Sequence, residues 1–396
     1  MMSTKTQILE TVAPSSQSLI FYLLCAGFVV NGIVISFIGP ILPVFMAKWS
    51  LDDSRAGLFS LVQFSGSFTG VLVSSALVSA KGFRPAITLG LVMLGVGFAL
   101  LNAPTFALAL AASGIYGLGY GFNTPGTNLW VGETYGARRA SALNIMNLAW
   151  GGGAIISSPL ALLTVRTSQV TPLLYGVGAL CAVLAVVLLR MPFGKPLHKE
   201  DSAPAAAPGR TAGTGVAILL GILFFVYVGT EVGTSYWAPA QAQRAAVWSN
   251  NTWTLAPMFF FAGLLGGRGA AAAILLRLKE ATVAVAGILL AAIGEILFLT
   301  GRSHEALFGG AFLAGLGLSS LFPIFIAWLS KWFGTRARKV GGVMFALAAA
   351  GSALMPPLVG VVSRYAGSLR VGLLVPVAGC ATMLTVIGIL RPSTRG

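Results

Sequence analysis

Charge is scarce in this chain. Of 396 residues only 9% are Asp, Glu, Lys or Arg, and the acids number ten against 25 bases. A soluble domain carries roughly 25% charged residues, so this composition leaves too little polar material to cover a globule. Histidine is scarcer still: His198 and His304 are the only two. Both fall between apolar runs, and no cluster of His, Cys or Asp within a run offers metal ligands. Cys25, Cys181 and Cys380 lie in three separate apolar blocks, where buried thiols are expected and disulfides are not. The chain has no Gly-x-Ser-x-Gly elbow and no glycine-rich phosphate loop after a strand. These absences argue against an intramembrane enzyme, and no catalytic residue, metal or cofactor is expected.

What is present is hydrocarbon. The chain is 56% hydrophobic, with a mean hydropathy of +0.88. Its apolar residues fall in blocks of about twenty, the length that crosses a bilayer as a helix. Fifty glycines fit the same picture, because small residues let membrane helices approach closely. Twelve spans are predicted, near 18–46, 54–79, 84–101, 104–132, 140–165, 169–190, 214–241, 252–276, 281–300, 306–330, 340–363 and 368–390. The fold class is therefore an all-α polytopic membrane protein.

The net charge of +15 orients the chain and does not form a nucleic-acid patch. With the N-terminus inside, most Lys and Arg fall on the cytoplasmic side. This positive-inside bias predicts that both termini are cytoplasmic. Residues 1–16 are polar and no small-residue cleavage site follows the first apolar run, which reads as an uncleaved span rather than a signal peptide.

One loop has the composition of a linker, RMPFGKPLHKEDSAPAAAPGRTAG at 190–213. It predicts an N-terminal six-helix bundle over 1–190, a cytoplasmic linker over 191–213 and a C-terminal six-helix bundle over 214–396. A constant offset, half the chain length, relates the two. Gly117-x-Gly119 and Pro125 recur as Gly315-x-Gly317 and Pro323. Tyr135-Gly136-Ala137-Arg138 recurs as Phe333-Gly334-Thr335-Arg336. Gly153, Pro159-Leu160 and Arg166 recur as Gly351, Pro357-Leu358 and Arg364. Gly66-x-x-x-Gly70 matches Gly263-x-x-x-Gly267 one residue out of step. Two parallel repeats of this kind predict a transporter with its site between the halves.

Several stretches resemble the major facilitator superfamily over nearly the whole chain. They are most similar to its fucose–proton symporters and sodium-dependent glucose transporters. The resemblance is carried by GLGYGFNTPGTNLW (117–130), SALNIMNLAWGGGAIISSPL (141–160), YVGTEVGTSYW (227–237), GLLGGRGAAA (263–272) and GLGLSSLFPIF (315–325). It implies two pseudo-symmetric six-helix bundles and a cavity lined mainly by spans 1, 4, 7 and 10. There are departures. Where the superfamily usually carries Asp-Arg-x-Gly-Arg-Arg, this chain reads Ser79-Ala80-Lys81-Gly82-Phe83-Arg84. The Arg common in span 4 is absent, with Ser113 near its place. The acids that fucose symporters carry in spans 1 and 4 are replaced by Asn31, Asn123 and Thr124, so their proton scheme does not transfer.

In span 4, Tyr120, Asn123, Thr124, Thr127 and Asn128 share one helical face. The same face could instead knit helices together through hydrogen bonds worth about 0.6 kcal/mol each. Span 5 adds Asn144, Asn147 and Trp150. Span 7 presents Thr230, Glu231, Thr234, Trp237 and Gln241, and Asn31 and Gln63 contribute amides from spans 1 and 2. Amides, hydroxyls and the stacking rings Trp150, Trp237 and Trp253 suit a neutral polyhydroxylated ligand. No basic cluster lines these faces, which argues against phosphate esters and dicarboxylates.

A carboxylate inside a span costs on the order of 3 kcal/mol, so Glu231 needs a wet cavity, a cation or a proton. Three roles stand open for it: hydrogen bonding to substrate hydroxyls, proton or sodium coupling, and a structural partnership. Arg268, set among glycines, pairs either with helix-end carbonyls or with Glu231. Glu133, Arg138, Arg139 and Arg336 are read as cytoplasmic charge contacts that latch the outward-facing state, with ordinary interface charges as the alternative. Glu295 is expected to reach toward Arg302. The resulting expectation is a monomeric carrier of a small neutral solute, a hexose or related sugar, in the bacterial inner membrane, coupled to H+ or Na+ and bathed in membrane lipid. A multidrug or lipid exporter of the same fold is the alternative, kept open by Phe259, Phe260 and Phe261.

Overall fold

A computed structural model describes residues 14–193 and 212–393. Most of the predicted linker, and the first thirteen residues, lie outside the described residues. The rest is helix and short turn, with no strand among the described residues. The first half holds α1 (Pro14–Lys48), α2 (Asp53–Ala56), α3 (Leu58–Lys81), α4 (Phe83–Ala99), α5 (Phe106–Tyr135), α6 (Arg139–Thr167) and α7 (Val170–Leu189). The second holds α8 (Thr214–Ala245), α9 (Ala256–Leu275), α10 (Glu280–Thr300), α11 (His304–Leu318), α12 (Leu321–Phe333), α13 (Ala337–Ala366), α14 (Leu369–Gly372) and α15 (Leu374–Ser393).

Ten helical stretches among the described residues are long and apolar enough to cross a membrane. Two expected spans fall short of that measure for different reasons. Helix α4 has only 17 residues. Helix α5 has 30 residues, but its glycines and polar stripe dilute its hydropathy.

The sequence repeat is a structural one. Gly136 and Gly334, half a chain apart, both take positive φ, 45° and 48°, a region that side chains with a Cβ avoid. Each opens a short 3-10 turn, Gly136–Arg138 and Gly334–Arg336, that swings one helix into the next. The paired glycines also play matching parts in packing. A Cβ on Gly117 would strike the Gln63 carbonyl on α3, and one on Gly315 would strike the Phe260 carbonyl on α9. Gly153 meets the Val29 carbonyl on α1, and Gly351 the Phe225 carbonyl on α8. Helices that close have no room for a methyl group, which is why glycine recurs at these depths. The halves differ where α5 runs unbroken and its counterpart splits into α11 and α12 around Ser319 and Ser320.

The bundle has two distinguishable ends. At the distal end, Lys48 donates to the Asn102 amide oxygen at 2.5 Å and Asn102 donates to Thr171 at 2.9 Å. At the opposite end, from which α8 starts and which we call the linker end, Phe21 packs on Tyr135 at 5.0 Å and the Ala212 amide donates to the Trp332 carbonyl at 3.0 Å.

Contacts between the two halves gather at the distal end and the middle of the bundle. Arg244 forms a two-point ion pair with Asp53, at 2.6 and 2.9 Å, and the Ser363 hydroxyl donates to the same carboxylate at 2.5 Å. Arg364 reaches Asp52 at 3.4 Å. The Tyr236 hydroxyl donates to the Ala56 carbonyl at 2.6 Å, and Ser60 donates to the Ser352 carbonyl at 3.1 Å. Gly57 lies so close to α13 that a Cβ there would sit 2.6 Å from the Pro357 Cα. Arg166 donates to the Asn250 carbonyl at 3.0 Å.

Candidate functional site

A cavity of about 200 Å³ lies between the halves, below that closed distal end. Helix α1 contributes Ile35, Ser36 and Gly39; α3 contributes Gln63 and Phe64. Tyr120 comes from α5, Trp150 from α6, Phe261 from α9 and Ser352 from α13. Helix α8 supplies Val228, Glu231, Val232, Ser235 and Tyr236. Residues 228, 231, 232 and 235 follow the i, i+3, i+4, i+7 spacing of one helical face.

Glu231 is the acid in that wall. It sits four residues after Tyr227 on α8, whose hydroxyl donates to its carboxylate at 2.5 Å. The Arg268 guanidinium on α9 lies near the same phenol and carboxylate, close enough to interact with both electrostatically. No direct ion pair links Arg268 to Glu231 among the described residues. Of the two partners expected for Arg268, Glu231 is a nearby charge and not an ion-pair contact among the described residues.

Across the cavity, the Trp150 indole N–H is buried without a hydrogen-bond partner among the described residues. Its ring is held edge-on to Phe261, 6.2 Å between centroids. Gln63 is less free: its amide donates to the Ile35 carbonyl at 3.2 Å and accepts from the Tyr116 hydroxyl at 2.5 Å. That amide braces α3 against α1 and α5 while facing the cavity.

The remaining expected site residues separate by helical face. Thr234 is fully buried on a flanking side of α8, where it donates to the Glu295 carboxylate. Trp237, three residues on, is also fully buried, and its indole donates to the Pro356 carbonyl at 2.9 Å. Neither lines the cavity: Thr234, about 60° round the helix from Glu231, points to Glu295, and Trp237, about 120° round, points to Pro356. Asn123 and Thr127 are buried and bond to one another at 3.0 Å. Thr124 and Asn31 hold buried polar atoms with no hydrogen-bond partner among the described residues. Trp253 is buried near the distal end. Asn128 is half-buried, and Asn144 and Asn147 are exposed nearer the linker end. Gln63, Tyr120, Trp150 and Glu231 are thus the expected residues that meet at the cavity. Arg138, Arg139 and Arg336 are exposed at the linker end, where Glu133 is half-buried.

Sequence reasoning missed Tyr236, Ser36, Ser235 and Ser352. Serine and tyrosine in apolar helices give no pattern that separates a cavity from a packed seam. It also misplaced Glu295, which is 2% exposed and turned inward onto Thr234 rather than toward Arg302. No group of three or more His, Cys, Asp or Glu able to hold a metal occurs among the described residues.

The sequence profile of the Major Facilitator Superfamily matches residues 24–282. Comparison with curated protein sequences finds no match. Among solved structures, a bacterial homologue of the human lysosomal transporter Spinster, in an inward-facing and occupied conformation, superposes with a TM-score of 0.79 at 14% identity. That alignment covers 97% of this chain and 98% of the homologue. The E. coli fucose:proton symporter FucP gives 0.63 at 18% identity, covering 94% of this chain and 99% of its own. The E. coli xylose transporter XylE, inward open, gives 0.75 at 14% identity, covering 94% and 95%. At these identities the structural likeness speaks for the fold alone, while the profile spans well over half of the sequence. The chain is a multi-pass integral membrane protein and belongs to the Major Facilitator Superfamily of transporters.

Proposed function

We propose that this chain is a secondary carrier of a small neutral polyhydroxylated solute, a hexose or related sugar, bound in the cavity between two six-helix bundles over 1–190 and 214–396. One observation carries the reading. A carboxylate from one half, Glu231, and a buried indole N–H from the other, Trp150, which has no hydrogen-bond partner among the described residues, line one cavity. A solute with hydroxyls can donate to the first and accept from the second, and so bridge the halves whose relative motion transports it. Aromatic faces at Tyr120, Trp150 and Phe261 suit the apolar face of a sugar ring. At about 200 Å³ the space falls below the ~300 Å³ lower bound of drug-sized pockets, which favours a small solute over a multidrug substrate. The sugar transporters FucP and XylE among the structural neighbours agree with this reading; the peptide and Spinster-type neighbours keep it from resting on fold.

Twelve spans with both termini cytoplasmic complete the topology. On that orientation the distal end is external, and its Asp53–Arg244 clasp makes this the inward-facing state. Glu133, Arg138, Arg139 and Arg336 then lie at the cytoplasmic end, placed to engage when that end closes. Glu231 is the group proposed to respond to a co-transported H+ or Na+.

The test is uptake by the reconstituted protein of a panel of labelled hexoses and pentoses, with and without imposed proton and sodium gradients. Saturable accumulation of a sugar supports the proposal. Efflux of lipophilic dyes from the same vesicles, with no sugar uptake, would replace it by an exporter.

A further inference from the structure

A second recess, of about 570 Å³, opens on the outside of the C-terminal half at the linker end, between α10, α12 and α15. Its floor is apolar, Ile387 and Leu390 of α15, both nearly fully buried. One wall is an aromatic pair: Trp328 and Trp332 stack at 5.2 Å and 24°. Its rim is basic, with Lys279 and Lys331 both exposed. The acid in the lining, Glu280, is already engaged, accepting from the Trp328 indole at 2.9 Å. Neither lysine has an acid partner within 4.0 Å among the described residues. The recess therefore presents two free cations over an aromatic and aliphatic base.

Its surroundings say what that base meets. Leu289, Ile293 and Ile296 on the outer face of α10 are each about half exposed, as is Ile389 on α15. In a multi-pass membrane protein such a face lies against acyl chains. Leu276, 87% exposed, and Leu278 alternate with Arg277 and Lys279 in the turn before α10. That alternation fits the boundary where hydrocarbon gives way to head groups. Tryptophan gathers at this depth because its ring is apolar and its N–H is polar. Basic pockets between helix ends at the cytoplasmic side attract anionic head groups.

We propose that this recess binds one anionic phospholipid, its phosphodiester held by Lys279 and Lys331, its glycerol region against Trp332, and the head of one acyl chain on Leu278, above the buried floor of Ile387 and Leu390. The choice of the cytoplasmic leaflet rests on the orientation proposed above; the binding itself does not. A free phosphate would have no use for the floor or the rings. Neither segment outside the described residues beyond α7 and α15 is net acidic: 194–211 carries Lys195, Lys199 and Arg210 against Glu200 and Asp201, and 394–396 carries Arg395.

The experiment is thermal unfolding of the purified full chain in neutral detergent with added phosphatidylglycerol, phosphatidylcholine or soluble glycerol phosphate. Native mass spectrometry of the same samples counts retained lipids. Phosphatidylglycerol is expected to raise the melting temperature and remain as an adduct, and the other two are not. In Lys279→Gln/Lys331→Gln the phosphatidylglycerol shift is expected to fall by at least half, with the melting temperature in phosphatidylcholine unchanged. Should the double variant fail to fold, Trp332→Leu is read for loss of the adduct. Equal shifts from both lipids, an undiminished shift or adduct in the variant that folds, or a shift from glycerol phosphate alone would overturn the proposal. Because no transport is measured, failure here leaves the carrier reading intact, and an inactive carrier leaves this result intact.

Discussion

Arg244 at the end of α8 grips Asp53 at the start of α2 through two hydrogen-bonded contacts, 2.6 and 2.9 Å long, from opposite halves of the chain. Fork-to-fork geometry of this kind is directional as well as strong. Asp53 is also the acceptor for Ser363, and its side chain is 12% exposed against 42% for Arg244. Exposed ion pairs contribute about 0.2–1 kcal/mol. Partial burial and the added hydroxyl place this one toward the upper end, equivalent to roughly fivefold in a two-state equilibrium. Asp53→Asn and Arg244→Gln are therefore expected to raise the population open at the distal end several-fold. Distances between spin labels on α2 and α14 would report it. The exchange Asp53→Arg/Arg244→Asp should recover part of the closed population.

Glycines at different seams separate state from stability. Gly57 approaches Pro357 across the halves, whereas Gly121 approaches the Ser67 carbonyl within the first half. Gly57→Ala is expected to disfavour distal closure while leaving the melting temperature near wild type. Gly121→Ala forces α5 off α3, a change of overpacking type that costs about 1–3 kcal/mol. Melting curves beside spin-label distances distinguish the two effects.

The Thr234 hydroxyl is the donor to Glu295, and both are buried. Thr234→Val keeps the shape and removes the hydrogen bond, leaving a buried carboxyl unsatisfied at a cost of about 1–3 kcal/mol. Lowered thermal stability with solute affinity retained is the expected result. Loss of affinity at unchanged stability would instead return Thr234 to the cavity wall.

How much of this was legible in the sequence follows from period and distance. The repeat was, because Gly136 and Gly334 must both adopt positive φ and because Gly153 and Gly351 must both admit a neighbouring helix. Backbone demands of that sort leave a residue type behind at a fixed spacing. Glu231 was legible as well, since a carboxylate in an apolar run has few permissible surroundings. The faces of α8 were not. Glu231 and Thr234 are three residues apart, close enough to read as one stripe, yet Thr234 meets Glu295 on one side and the cavity opens on the other. Glu295 was misread for a related reason: a neighbouring Arg302 in sequence was a visible partner, and a threonine 61 positions away was not.

The central claim is that the solute binds against Glu231 between the halves. Counterflow into proteoliposomes preloaded with unlabelled sugar tests it without dependence on any ion gradient. For a sugar that the wild type exchanges, the account predicts that Glu231→Gln and Trp150→Phe each cut exchange at least tenfold, with Tyr227→Phe intermediate and Thr234→Val near wild type. Exchange that survives undiminished in both Glu231→Gln and Trp150→Phe would contradict it.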